Sequence, residues 1–267
     1  MTSIANLCIA ILAGGLATRL RPVVQDLPKA MAPINGTPFL NYVLDSLDEQ
    51  GGKNVLLCIG HKGDQLRDYY ANTYRSLSLS YSIENSPLGT AGALRHCLSG
   101  VQSNDILVLN GDTYCDTDFN QFLSFFYRTQ SKAAIVLVRK TNVSRFGSVE
   151  IDAEGRVVQF HEKKRRSGAG YVSAGAYLLK REIVERIPAE KEVSMEYEVL
   201  PDLIGKGLFG YDAASTFIDI GTPQSYRHAQ RYFSDNIHSS RKKSAKHTIK
   251  SFDPSYLSNE HETGRTL

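Results

Sequence analysis

Residues 12–29, LAGGLATRLRPVVQDLPK, are the stretch from which the other segments of this chain take their meaning. They overlap an apolar run, residues 7–13, with the length and composition of a strand buried on both faces of a parallel sheet. Gly14 and Gly15 follow, then Thr18, Arg19 and Arg21, so the chain leaves the sheet through two residues without side chains and at once presents cations. Glycines let backbone N–H groups converge on an anion without steric cost, and arginine adds a planar fork of donors that matches phosphate oxygens. Lys29, between Pro28 and an apolar segment, can hold its charge back over the same loop. In isolation the pattern also fits a glycine turn with surface cations.

Outward from this loop, the spacing alternates between strands and helices. Thr37 and Pro38 read as the N-cap and first turn of a helix carrying Phe39, Tyr42, Val43 and Leu47 on one face and ending at Gly51 and Gly52. Residues 54–60 form a second buried strand, and residues 64–74 a helix with Leu66, Tyr70 and Tyr74 aligned. This βαβ rhythm implies a parallel sheet with right-handed crossovers. A short strand at residues 79–84 leads to a helix through Leu98 with Thr90 as N-cap, leaving Gly89 and the first-turn N–H groups facing the strand ends. The strand at residues 105–109 delivers Asn110, Gly111, Asp112 and Thr113, so Asp112 lies just past its carboxyl end, where open α/β sheets bind ligands. Asp118 caps a further helix whose Phe119, Phe122, Leu123 and Phe126 belong to the core. After a strand at residues 133–138 the texture changes to alternating strands, residues 148–152 and 157–161, joined by a turn at residues 152–155.

Past that hairpin, Glu162 could accept hydrogen bonds from vicinal hydroxyls and Lys163 could hold a phosphate, although residues 163–166 also fit an exposed basic turn. Residues 171–179 form a strand with small residues at its centre, and residues 196–204 a helix. Asp219 lies in the apolar context TFIDIG, where an aspartate calls for a reason such as a cation. From Ser234 the apolar content collapses. Residues 1–233 are therefore expected to form one domain, and residues 234–267 a polar, basic tail.

The motifs GG-x-x-T-R-L and P-K, carried by Gly14, Gly15, Thr18, Arg19, Leu20, Pro28 and Lys29, resemble the signature loop of sugar-1-phosphate nucleotidyltransferases. Further matches follow down residues 1–233 in the order of that family. The resemblance implies an α/β, Rossmann-like mixed sheet, mainly parallel and flanked by helices, with a small antiparallel sugar-binding platform. It implies NTP and sugar 1-phosphate as partners, Mg²⁺ as cofactor, and Arg19 and Lys29 as catalytic cations. Leu12, Gly14, Gly15, Pro87, Gly89, Thr90 and Gly111 would bind the nucleotide, while Gly147, Glu162, Lys163 and Ser173 would bind the sugar phosphate. Many family members have asparagine where Ser173 stands, and either Glu196 or Glu198 matches an acidic stretch near the sugar. Asp112 matches the family's metal-binding carboxylate, and Asp112 with Asp219 would supply two carboxylates for one Mg²⁺. Among the subfamilies, SPLGTAG, NGDTY and FHEK together look most like bacterial D-glycero-α-D-manno-heptose 1-phosphate guanylyltransferases. Mannose-1-phosphate guanylyltransferases and short uridylyl- or thymidylyltransferases share much of the pattern. A non-catalytic nucleotide-binding regulator is the alternative from another class.

Bulk properties agree with this reading. At 267 residues and 42% hydrophobic, the chain can bury one sizeable core, and a net charge of +3 does not demand nucleic acid. The four cysteines show no C-x-x-C spacing and read as reduced core residues of a cytoplasmic protein. No apolar stretch is long enough for a membrane span, and the opening residues do not read as a secretory signal. Assembly into a homo-oligomer is compatible with the sequence. A P-loop motif is absent, and Gly205, Gly207 and Gly210 form a G-x-G-x-x-G that follows a helix and precedes a strand, the reverse of the dinucleotide-binding context. Neither zinc-ligand spacing nor a nucleophile elbow occurs. No nucleophilic side chain is needed, because a phosphate monoester with a second pKa of about 6 is largely dianionic at neutral pH.

Overall fold

The computed structural model describes residues 2–15, 19–20, 23–24, 26–161, 167–213 and 216–240. In chain order the strands and helices are β1 (Cys8–Leu12), β2 (Pro33–Ile34), β3 (Thr37–Pro38), α1 (Phe39–Glu49), β4 (Asn54–Ile59), α2 (Gly63–Tyr70), β5 (Thr73–Tyr74) and β6 (Leu77–Ile83). Next come α3 (Gly89–His96), β7 (Asp105–Asn110), β8 (Thr113–Cys115), α4 (Phe119–Arg128), β9 (Ala133–Lys140), β10 (Ser148–Ile151), β11 (Val157–His161) and β12 (Gly170–Lys180). The chain continues through α5 (Arg181–Glu185), a π-helical turn (Met195–Val199), α6 (Leu200–Asp202), β13 (Leu208–Asp212), β14 (Phe217–Asp219) and α7 (Pro223–Ser240).

The parallel strands lie in the order β7-β1-β4-β6. Strand β1 holds the centre because alternate residues feed two cores. Ile9 and Ile11 pack with α1, α2 and α4, whereas Cys8 and Ala10 pack with α3 and α5. Burying each isoleucine is worth about 1.5–3 kcal/mol, more than the ~1 kcal/mol net of one ladder hydrogen bond, so the apolar run fixes where this strand sits. The chain builds β1, β4 and β6 to one side and then crosses to place β7 on the other. That reversal makes the carboxyl ends of β1 and β7 a topological switch point.

The expected antiparallel region is integral to the same ten-stranded sheet. Strand β12 runs antiparallel to β7 from Ala176 opposite Leu109 to Lys180 opposite Asp105, and its first half pairs with β10. Along its other edge it pairs with β9, with a register shift between Ser173 and Tyr177. Gly175 within that shift has φ +70°, a conformation that favours glycine, and a Cβ there would lie 2.7 Å from Thr113 Oγ1.

Several boundaries depart from the sequence reading. Thr37 is not a helix cap. It pairs with Ile34 in a small hairpin closed by Asn35 and Gly36, both at positive φ, and α1 begins only at Phe39 after Pro38. An Asn-Gly pair is a strong hairpin signal, and it overrode the Thr-Pro start. Helix α2 stops at Tyr70, and Tyr74 belongs to β5, although its ring still packs on Tyr70 at 5.9 Å. The segment expected as one helix from residue 196 to 204 is a π-helical turn followed by α6. Helix α7 runs through the expected boundary at residues 233/234 and reaches Ser240. All four cysteines are buried, and none of them is in a disulfide.

Candidate active site

The site is assembled at the carboxyl ends of β1 and β7. The Leu12 carbonyl accepts the Gly111 N–H at 2.9 Å, and a Cβ on Gly111 would lie 3.0 Å from that carbonyl oxygen. Only glycine lets the turn after β7 close against the exit of β1 without displacement. One residue further on, Asp112 accepts a charged hydrogen bond from Lys29 Nζ. Lys29 heads a 3-10 turn, Lys29–Met31, whose Ala30 and Met31 are buried, so its backbone is anchored, and its side chain is only 14% exposed.

Asp219 ends β14, where it pairs with Thr113 of β8, and the following Ile220 N–H donates to the Asp112 carbonyl at 3.1 Å. The Asp219 Oδ1 atom accepts from Gly221 N and from Ser225 Oγ, each at 2.9 Å. A Cβ on Gly221 would lie 3.1 Å from Asp219 Oδ1 and 3.5 Å from Lys29 Nζ. Lys29, Asp112 and Asp219, far apart in sequence, therefore share one small volume. Two carboxylates of this kind are hard oxygen donors suited to Mg²⁺, which keeps waters and takes its remaining ligands from phosphates. No group of three or more His, Cys, Asp or Glu able to hold a metal occurs among the described residues.

The residues of the glycine loop follow the exit of β1 beside this cluster. Ala13 N–H donates to the Cys58 carbonyl at 2.8 Å, fixing the exit of β1 against β4. Gly14 is half-buried, and a Cβ on it would lie 2.7 Å from Glu84 Oε1, while Gly15 is exposed with open space around it. Arg19 is exposed on the described part of the loop, whereas Thr18 and Arg21 lie outside the described residues.

Glu84 was not singled out from the sequence. It follows β6, and its Oε1 lies against both Gly14 and Gly60, while Oε2 accepts the Leu88 N–H at 3.3 Å. Burial raises its pKa above the usual carboxylate range. The signal available was an acid directly after a buried strand, between the glycine loop and the PLGT segment.

Around Pro87, Gly89 and Thr90 the geometry differs from the expected free helix start. Thr90 is not the N-cap, since α3 begins at Gly89 and the cap position is Leu88. The first-turn N–H groups of Ala91 and Gly92 donate to the Val193 carbonyl at 2.9 and 3.3 Å, so they are not free. Gly89 has φ +71°, and a Cβ there would lie 2.6 Å from the Val193 oxygen. Pro87 is exposed.

The Thr90 hydroxyl instead accepts from Met195 N at 2.8 Å and donates to Glu196 Oε2 at 3.1 Å. Tyr177, fully buried in β12, donates to Glu196 Oε1 at 2.8 Å. Burial and the neighbouring Glu196 charge push the Tyr177 hydroxyl well above its ordinary range, which keeps it a donor. Of the two glutamates left open by the sequence, Glu196 is the one turned inward, because Glu198 Oε1 accepts the Ser194 N–H at 2.8 Å. Ser173 donates to the Tyr177 oxygen at 3.4 Å and accepts from Gly175 N at 3.2 Å. Sequence reading missed Tyr177 because a tyrosine among Ala, Leu and Leu looks like core.

Gly147 directly precedes β10, and a Cβ on it would lie 3.3 Å from the His161 carbonyl at the end of β11. Glu162 and Lys163 continue from His161 but lie outside the described residues.

Comparison with known proteins gives a consistent result. The Nucleotidyl transferase family profile matches residues 9–236. The chain is 36% identical to a D-glycero-alpha-D-manno-heptose 1-phosphate guanylyltransferase of Campylobacter jejuni, over 82% of this chain and 96% of that protein. It is 34% identical to a mannose-1-phosphate guanylyltransferase of Mycobacterium tuberculosis, over 81% of this chain but 61% of that protein. Among solved structures, HddC from Yersinia pseudotuberculosis, crystallised with GMP-PN, superposes with a TM-score of 0.75 at 35% identity, covering 85% of this chain and 99% of that one.

Proposed function

The chain belongs to the nucleotidyl transferase family, and from that premise we propose that it joins GTP to D-glycero-α-D-manno-heptose 1-phosphate, forming a GDP-sugar and releasing pyrophosphate. The observation that carries the reading is the convergence of Lys29, Asp112 and Asp219 at the switch point between β1 and β7, directly beside the glycine loop.

In the proposed reaction an oxygen of the sugar 1-phosphate attacks the α-phosphorus of GTP. The new P–O bond forms as the bond to the β-phosphate oxygen breaks, and pyrophosphate leaves on the opposite side. The chain's contribution is alignment and charge neutralisation. Gly14, Gly15 and Arg19 would hold the triphosphate, with Leu12 and Gly111 shaping the floor. Lys29 would neutralise charge developing at the α-phosphate, and Lys163 would restrain the attacking phosphate. A divalent cation, Mg²⁺ on this reading, would be held by Asp112 and Asp219 and would supply charge neutralisation on the triphosphate.

Guanine is favoured by Glu84. A carboxylate accepts two parallel hydrogen bonds, and guanine alone among the common bases offers two adjacent donors, N1–H and the N2 amino group, along one edge. With Pro87 and Gly89 beside it, Glu84 would read that edge. On the sugar side, Gly147, Glu162 and Ser173 would line the shallow platform, with Glu196 held at its margin by Tyr177 and Thr90. The proposed reaction would run in the cytoplasm, where GTP is available.

The decisive experiment is a pyrophosphate-release matrix of GTP, ATP, UTP and dTTP against heptose, mannose and glucose 1-phosphates. GTP with the heptose phosphate should lead. Preference for mannose 1-phosphate would move the protein to the mannose-1-phosphate guanylyltransferases, and UTP or dTTP in the lead would overturn the guanylyl assignment. Silence of every pair with Mg²⁺ present would favour a nucleotide-binding regulator.

A further inference from the structure

Lys29 is positioned in a way that the transfer reaction does not require. Its ammonium is engaged by Asp112, and a Cβ on Gly221 would stand 3.5 Å from that ammonium and 3.1 Å from Asp219 Oδ1, so the second carboxylate lies close by. Among the described residues, Asp219 makes no ion pair with a Lys or Arg, so one ammonium, bound to Asp112, is the positive charge of a small volume that holds two carboxylates. A divalent cation would balance that pair, yet its place is held by an ammonium. Lys29 is also built to move without the fold moving. Its 3-10 turn is closed by Met31 N–H to the Pro28 carbonyl at 2.9 Å and Ala32 N–H to the Lys29 carbonyl at 3.1 Å, so the exchange asks only for rotation about the bonds of the four-carbon stem.

We propose that Lys29 is a placeholder cation that occupies the Asp112–Asp219 pair in the nucleotide-free protein and yields it to a divalent ion only when a triphosphate arrives to receive the ammonium. Before the nucleotide binds, a metal ion must displace a tethered positive charge that has nowhere better to go. Once the phosphates are in place, the ammonium gains an anionic partner and the carboxylates become available. Metal entry and delivery of Lys29 to the phosphates are thus one exchange, and binding is ordered by electrostatics without a moving lid. The inference rests on the site assignment made under the proposed function.

The test is Mn²⁺ binding to the full chain without nucleotide, followed by electron paramagnetic resonance and calorimetry, so that turnover is not the readout. Lys29→Met should bind Mn²⁺ at least roughly tenfold more tightly than wild type, because a unit charge within a few ångströms is removed from a half-buried site. Lys29→Arg, which keeps the charge, should stay near wild type, and Lys29→Met with Asp112→Asn should lose the gain. Adding a non-hydrolysable GTP analogue should narrow the gap between Lys29→Met and wild type. If Lys29→Met, shown folded by circular dichroism, binds no more tightly, the exchange is overturned, and Lys29→Gln serves the same test if the methionine variant does not fold. Absence of pyrophosphate release alongside tightened Mn²⁺ binding would sink the enzyme assignment and leave the exchange standing.

Discussion

The Ile220 N–H donates to the Asp112 carbonyl at 3.1 Å, and this backbone bond, next to the β8–β14 ladder, holds the turn after β7 against the segment that carries Asp219. Because it is a backbone bond, it survives changes to either carboxylate. Charge and geometry at the site can therefore be varied separately.

Asp112→Asn should lower kcat at least a hundredfold while the protein remains folded. The lost ion pair is half-buried, with the Lys29 side chain 14% exposed, so leaving that ammonium without its partner costs about 1–3 kcal/mol. Pyrophosphate release and thermal melting, measured together, check this. Unchanged turnover would remove Asp112 from the metal site.

Glu84→Gln should raise the KM for GTP about tenfold or more and narrow the preference over UTP, since an amide replaces one of the two acceptors with a donor. Comparison of kcat/KM for the two nucleotides measures it. An unaltered preference would place guanine reading elsewhere.

Acidification provides a separate test of Glu84. Its folded pKa is raised by burial, so the folded state binds the proton more tightly than the unfolded chain does. Stability at this residue therefore increases as pH falls through the window from the raised folded value down to the ordinary glutamate value. GTP affinity changes the opposite way, because protonation removes an acceptor. Wild type should lose GTP affinity over that window, and Glu84→Gln should show a flatter profile by fluorescence titration.

Tyr177→Phe removes the donor to Glu196 Oε1 and leaves a buried carboxylate oxygen without that partner. A stability loss of about 1–3 kcal/mol follows, together with a KM for the sugar phosphate that rises more than kcat falls. Urea denaturation and steady-state kinetics separate the two effects. Equal changes in both kinetic constants would argue that Glu196 does not line the sugar subsite.

Gly89→Ala should destabilise the protein by about 2–3 kcal/mol. The residue sits at φ +71°, and the added Cβ meets the Val193 carbonyl at 2.6 Å, a backbone atom that cannot turn aside. A shift in the urea midpoint with an unchanged slope is the expected result.

Much of the architecture is written locally. A strand buried on both faces must be continuously apolar, so residues 7–13 announced β1 and a parallel sheet. Helices such as α4 showed their core faces through Phe119, Phe122, Leu123 and Phe126 at helical spacing. Asp112 and Asp219 could be singled out because an acid at the end of an apolar strand is conspicuous wherever it lies. The hairpin at Asn35 and Gly36 was missed, because Thr37 and Pro38 directly after it read as a helix start.

What the sequence determined by itself was therefore the kind of the long buried strands and amphipathic helices and the identity of the conspicuous charges, because periodicity and burial act over a few neighbouring residues. Only the tertiary structure decided that β12 inserts antiparallel between β7 and β9 and that Thr90 supports Glu196. The same holds for Glu84 closing over Gly14 and for Lys29 reaching Asp112. These are contacts between distant segments, selected by how two cores pack on opposite faces of one sheet, and no local pattern encodes which distant partner a side chain will meet.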